Sequence, residues 1–216
     1  MKISADALLF DNDGTLISSL ESVHRCWSRW AREYGIPAEE FSRVELHGRT
    51  ASDIIGDLLP AHRLPEARAR IDELELEDVP GGGVVALPGT LELLGRIPRD
   101  RWAVVTSAIR PLAEARLAAV GITPTLLISA DDITRGKPDP EPFLLAADKL
   151  GFDPARCVVF EDAPAGLAAG RAAGMRTVAL TTTTDPDQLL ADAVVKDLSA
   201  VSVQATEGGL EITAGE

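Results

Sequence analysis

Short apolar runs recur along the chain, and several of them stop at a polar cluster. Ala5-Asp6-Ala7-Leu8-Leu9-Phe10 leads into Asp11-Asn12-Asp13-Gly14-Thr15, Trp102-Ala103-Val104-Val105 into Thr106-Ser107, and Cys157-Val158-Val159-Phe160 into Glu161-Asp162. Leu126-Leu127-Ile128, Thr177-Val178-Ala179-Leu180 and Ala193-Val194-Val195 are further runs of this kind. Strands buried on both faces read in this way. Helical patterns lie between them: Pro111 to Val120, stopped by Gly121; Glu141 to Leu150, entered through prolines; and the small-residue stretch Ala165 to Ala173. This alternation predicts an α/β fold, a doubly wound parallel sheet covered by helices on both faces. Ligands bind such sheets beyond the carboxyl ends of the strands, where the polar clusters fall.

One long stretch departs from the alternation. Leu16, Leu20, Val23, Trp27 and Trp30 recur at three- and four-residue steps, which predicts a helix from Ser19 to Tyr34 ended by Gly35-Ile36-Pro37. Further helical patterns cover Pro37 to Val44, Thr50 to Leu59 and Pro65 to Asp78, and nothing between residues 17 and 80 reads as a strand. Gly81-Gly82-Gly83 and Leu87-Pro88-Gly89 mark a hinge. The expected division is a core of residues 1–16 and 84–216 with an all-helical insertion over 17–83. At the far end, Val201 to Ile212 alternates around Gly208-Gly209 and reads as a hairpin.

Composition narrows the partners. A hydrophobic share of 45% with 25% charged residues supports a packed core, while a net charge of −13 argues against nucleic acid and anionic membranes. No apolar run is long enough to span a bilayer, and Met1-Lys2-Ile3-Ser4 passes into the first strand without a signal-peptide pattern, so a cytoplasmic location is expected. Cys26 and Cys157 match no zinc or redox spacing and are expected as buried apolar side chains. His24, His47 and His62 are scattered and give a histidine metal cluster little support.

The chemistry is concentrated at the strand ends. Residues two apart in an extended segment share a face, so Asp11 and Asp13 are expected to point one way and Asn12 the other. Two carboxylates so close stay ionised cheaply only beside a cation, or one takes a proton. The pair is therefore a candidate for metal binding, acid–base work or both, although a strand followed by an Asp-Gly turn leaves the same pattern. Taken singly, Lys137 in Gly136-Lys137-Pro138 reads as a surface lysine, Thr106/Ser107 as a helix cap and Glu161/Asp162 as a solvated turn. Together they place a nucleophile, a second carboxylate, hydroxyls, a cation and an acidic pair on one sheet edge, the inventory for phosphoryl transfer with a hard metal.

Asp11-Asn12-Asp13-Gly14-Thr15, Thr106-Ser107, Gly136-Lys137-Pro138-Asp139-Pro140 and Glu161-Asp162-Ala163-Pro164-Ala165-Gly166 resemble, in order and spacing, the four motifs of the haloacid dehalogenase superfamily. Within it the chain is similar to the small sugar-phosphate and polyol-phosphate phosphatases that carry a helical cap after the first motif. The resemblance implies a Rossmannoid core with the 17–83 block as cap, and a small phosphate ester as substrate; a monomer is expected. It implies Asp11 as nucleophile forming an aspartyl-phosphate, and Asp13 as the acid that protonates the leaving oxygen and then activates water. Mg²⁺ would be held by Asp11, the Asp13 carbonyl and Asp162 with Glu161 assisting; Lys137, Thr106 and Ser107 would bind the phosphate. The cap loop His47-Gly48-Arg49 would contact the substrate. Ser18 departs from the pattern, since many relatives carry Asp there.

Other reactions on the same scaffold fit less well. Dehalogenation does not use the second aspartate as an acid, and Asp13 is present. Phosphonate cleavage needs a cap lysine, and residues 17–80 contain none. The sugar phosphomutases use a cap histidine at a position that falls here on Val23, and His24, one step on, is turned by about 100°. A non-catalytic binding module would be expected to lack a motif residue, and none is missing.

Overall fold

The computed structural model describes residues 1–44, 46 and 50–215. In chain order its strands are β1 (Lys2–Ala5), β2 (Ala7–Phe10), β3 (Ile17–Ser18), β4 (Val85–Ala86), β5 (Trp102–Val105), β6 (Leu127–Ile128), β7 (Cys157–Glu161), β8 (Arg176–Leu180), β9 (Ala193–Val195), β10 (Val201–Thr206) and β11 (Gly209–Ala214). Its α-helices are α1 (Leu20–Glu33), α2 (Ala38–Phe41), α3 (Ala51–Leu58), α4 (Leu64–Asp78), α5 (Thr90–Leu94), α6 (Arg110–Ala119), α7 (Glu141–Leu150) and α8 (Pro164–Ala172).

Six strands form a parallel sheet in the order β6-β5-β2-β7-β8-β9. The alternating faces of β2 explain why both sides are covered. Leu8 and Phe10 join one core with Leu93, Ile97 and Leu117, whereas Ala7 and Leu9 join another with Phe143, Ala146 and Ala169. Phe10, Phe143 and Phe160 are fully buried, and burial of such a side chain contributes about 1.5–3 kcal/mol. The order also puts β2 between β5 and β7, so the residues that follow these three strands meet at one edge.

The predicted first strand, Ala5 to Phe10, is in fact two. Asp6 breaks it: its N–H bonds the Arg156 carbonyl at 2.7 Å and its carboxylate takes the Arg156 guanidinium at 2.6 and 2.7 Å. β1 leaves the parallel sheet there and pairs antiparallel with β11, completing a three-stranded sheet β1-β11-β10 around the predicted hairpin. The stretch between residues 17 and 80 likewise holds a strand, since Ile17 and Ser18 pair antiparallel with Ala86 and Val85. Two residues are too few to produce a readable alternation. α5, one and a half turns long, escaped the pattern for the same reason.

The chain between β3 and β4 carries α1 to α4, with a core of its own. Trp30 is fully buried at its centre among Cys26, Ile54, Ile55, Ala67 and Ile71, and its indole N–H donates to the Ala67 carbonyl at 2.9 Å. Cys26 and Cys157 are both buried and free. Among the described residues no helix is long and apolar enough to cross a membrane. Replacing Trp30 with Phe keeps an aromatic ring but removes the indole bond to the Ala67 carbonyl and leaves space where the larger ring packed; a loss of about 1–3 kcal/mol is expected in urea denaturation.

Candidate active site

The edge beyond β2, β5 and β7 is where the charged side chains converge. β2 ends at Phe10, and Asp11 still bonds the sheet through its N–H to the Phe160 carbonyl at 3.0 Å. The chain then turns sharply. The Asn12 carbonyl accepts N–H bonds from Thr15, Leu16 and Ile17, and Gly14 turns at φ 94°. A Cβ at Gly14 would lie 2.2 Å from Asp162 Oδ2, so glycine serves both the positive φ and the close approach of the carboxylate. Asn12 thus organises the turn that carries the two aspartates.

Lys137 sits at the centre of the edge, nearly buried. Its ammonium donates to Asp11 Oδ1 at 2.6 Å, Glu161 Oε1 at 2.7 Å and the Val105 carbonyl at 3.0 Å. Its loop is pinned by Glu141, whose carboxylate accepts the N–H groups of Thr134 and Arg135 while its own N–H donates to Asp139. The second oxygen of Glu161 accepts the N–H groups of Asp162 and Ala163, both at 2.9 Å. Glu161 therefore anchors the lysine and the start of α8 together. Burial would pull the Lys137 ammonium down, but the Asp11 and Glu161 carboxylates outweigh it and hold Lys137 above the ordinary lysine range.

Asp162 accepts hydroxyl bonds from Thr15, at 3.0 Å, and from Thr183. Thr182 closes the same corner by donating to the Gly14 carbonyl. Burial pushes the Asp162 carboxyl up to about 7, with the Glu161 charge adding to it. Asp11 is raised well above the usual range by burial, and the Glu161 and Asp162 charges add to that against the pull of Lys137. Asp11, Glu161 and Asp162 present carboxylate oxygens within 4.8 Å of one another. With all three ionised, two negative charges remain beyond the one ammonium, in an all-oxygen donor set. A hard divalent cation fits both the charge and the donors.

Asp13 lies in different surroundings. Its Oδ1 accepts Ser19 Oγ at 2.6 Å and Arg116 Nη1 at 3.0 Å, and its Oδ2 accepts Asn12 Nδ2 at 3.1 Å. Arg116 also reaches Glu75 Oε1 of α4 at 3.3 Å. Each aspartate of the pair thus has its own cation, Lys137 for Asp11 and Arg116 for Asp13. Among the described residues no protein cation bridges the two, because the chain turns after Asp11 instead of continuing extended. Both line one cavity with Thr106, Ser107, Lys137, Glu161 and Asp162, roofed by Val23, Trp27, Leu46 and Ile54 of the helical block. Thr106 is buried with its Oγ1 accepting the Ala108 N–H at 3.1 Å, so its hydroxyl orders the turn before α6; Ser107 is partly exposed. His47, Gly48 and Arg49 lie outside the described residues.

Sequence reasoning missed Arg116, Glu75, Ser19 and the Thr182/Thr183 pair. Arg116 had a signal: Leu112, Ala113, Arg116 and Leu117 share one helical face, so a lone charge stood on an apolar stripe. The threonine run after β8 was visible only as a biased tract.

Folding raises the Asp162 pKa, so without metal its contribution to stability is full below about pH 4 and is lost as pH rises through about 7. In chelator, the melting temperature of the wild type should therefore fall relative to Asp162→Asn between pH 4 and 8, and a divalent cation should reverse that fall. A Cβ at Gly166 of α8 would lie 1.7 Å from Glu161 Oε1. Gly166→Ala should cost about 1–3 kcal/mol in thermal unfolding and weaken divalent-cation binding measured by calorimetry.

Comparison with known proteins gives the family. The haloacid dehalogenase-like hydrolase family matches residues 5–174. Hexitol phosphatase A of Escherichia coli is 37% identical over 93% of this chain and 95% of its own length. Glycerol-1-phosphate phosphohydrolase 2 of Saccharomyces cerevisiae is 34% identical over 94% of this chain and 86% of its own. Among solved structures, CbbY from Rhodobacter sphaeroides in complex with phosphate shares the fold, with a TM-score of 0.78, 24% identity and coverage of 90% and 95% of the two chains. The chain belongs to the haloacid dehalogenase-like hydrolases.

Proposed function

We propose that the protein is a Mg²⁺-dependent phosphomonoesterase that hydrolyses small phosphorylated polyols and sugars through an aspartyl-phosphate on Asp11. The observation that carries this reading is the separation of the two aspartates. Asp11 is paired with Lys137 beside Glu161 and Asp162, while Asp13 is oriented by Arg116, Ser19 and Asn12 in the same cavity. Two neighbouring carboxylates with different surroundings can take different roles.

In the first step the Asp11 carboxylate attacks phosphorus, the bond from phosphorus to the substrate oxygen breaks, and Asp13 gives that oxygen its proton. In the second, Asp13 takes a proton from water, whose oxygen displaces Asp11 and releases inorganic phosphate. Lys137 and the Thr106/Ser107 turn face the charge on the transferring oxygens. Asp11, Asp162 and the Asp13 carbonyl would hold Mg²⁺, with Glu161 beside them, and the ion would supply charge neutralisation for the phosphoryl group.

The relatives named for hexitols and glycerol 1-phosphate support a polyol or sugar phosphate as substrate. The helical roof over the cavity, with residues 17–83 acting as a cap, is where the substrate's carbon chain would be read. The phosphomutase alternative is not favoured. Val23 lines the cavity, whereas His24 lines a separate surface depression with Arg25 and Ser28, and no histidine lines the cavity among the described residues. The charge of −13 supports a small-molecule substrate over nucleic acid or an anionic membrane, and the cytoplasm is the proposed location.

Release of phosphate from p-nitrophenyl phosphate should require Mg²⁺, stop in chelator, and fall by more than about 1,000-fold in Asp11→Asn. Full Mg²⁺-dependent activity in that variant would remove Asp11 as the nucleophile.

A further inference from the structure

α6 packs Leu112, Ala113 and Leu117 into the core, and Arg116, on the same face, is only 3% exposed. A buried guanidinium is costly, and this one also leaves its Nε without a hydrogen-bond partner. An apolar side chain would fill such a site more cheaply. The guanidinium instead spans two parts of the molecule. Nη1 donates to Asp13 Oδ1 in the turn after β2, and Nη2 donates to Glu75 Oε1 on α4 of the helical block. Glu75 is itself buried and has a raised pKa, chiefly from burial, so it too is held in an unfavourable place by this contact. Ser19, at the entry to α1, adds a second bond from the helical side to the same Asp13 oxygen.

We propose that Arg116 is a positioning residue that couples the seating of the helical block, through Glu75, to the orientation of Asp13. The proton donor is aligned when α4 sits over the core and loses its alignment when Glu75 withdraws. This rests on the phosphatase reading, in which Asp13 protonates the leaving oxygen as the bond from phosphorus to that oxygen breaks and the bond to Asp11 forms.

The leaving group separates this role from a merely structural one. A polyol oxygen needs the Asp13 proton to depart, whereas p-nitrophenolate leaves without one. Because kcat/KM covers only the steps up to departure of the alcohol, it isolates the proton donation. Arg116→Lys keeps the charge but cannot bridge two carboxylates with a planar fork. It should lower kcat/KM by about 10- to 100-fold for the better substrate of glycerol 1-phosphate and sorbitol 6-phosphate, and by no more than about 3-fold for p-nitrophenyl phosphate. Glu75→Ala should show the same selective loss, and Glu75→Gln, which keeps an acceptor for Nη2, should regain most of it. Equal losses on the two kinds of ester, or no loss, in either Arg116→Lys or Glu75→Ala would overturn the proposal while leaving the phosphatase reading intact. Absence of Mg²⁺-dependent turnover of either ester by the wild type would overturn the reading itself, and the inference with it.

Discussion

The ammonium of Lys137, held between Asp11 and Glu161, is the contact on which the site depends. Such a cluster is stable only if each charge has a partner at hydrogen-bond distance, since an unpaired buried ion is far more costly than a paired one. The strand order supplies that proximity: Asp11 follows β2, Glu161 ends the neighbouring β7, and the Val105 carbonyl ends β5 on the other side. The lysine comes from the loop after β6 and is aimed by the Glu141 carboxylate at the start of α7. Even Gly166 is part of the arrangement, because any side chain there would occupy the space of Glu161. A local change at any of these positions is therefore felt at Asp11.

Against that fixed half, the surroundings of Asp13 draw on the part of the chain that the core does not control. Two of its partners, Asn12 and Arg116, belong to the core, while Ser19 and, through Arg116, Glu75 belong to the entry and the last long helix of the insertion. Asp11 and Asp13 are thus held by different scaffolds, one built on the sheet and one assembled across a boundary.

Much of this was legible in the residues. Continuous apolar runs such as Cys157 to Phe160 are long enough to announce buried parallel strands, and the polar residues at their ends were bound to share an edge once the sheet was parallel. The helical periodicity of Leu20 to Trp30 was equally plain. What escaped notice had physical reasons. β3 and β4 have two residues each and no alternation to read, and β1 was fused with β2 because a single aspartate, Asp6, marks the point where the chain changes sheets. The contacts of Arg116 join residues far apart in sequence on elements whose packing no periodicity specifies, so its charge was visible on an apolar face but its partners were not. Asn12 had no assigned part because its contributions, a backbone carbonyl that ties the turn and an amide bonded to the Asp13 carboxylate, exist only once the chain turns there.

The short ladder of β3 with β4 brings the two ends of the helical insertion side by side. A segment whose ends already touch closes its loop at an entropic cost that grows only logarithmically with length, so its length constrains the core only weakly. The roof of the cavity can then be lengthened, trimmed or rebuilt without disturbing the strand register beneath it. On such a chassis the length of the roof is set loosely, while Ser19, the first residue beyond the ladder, and Glu75 tie its sequence to the surroundings of Asp13.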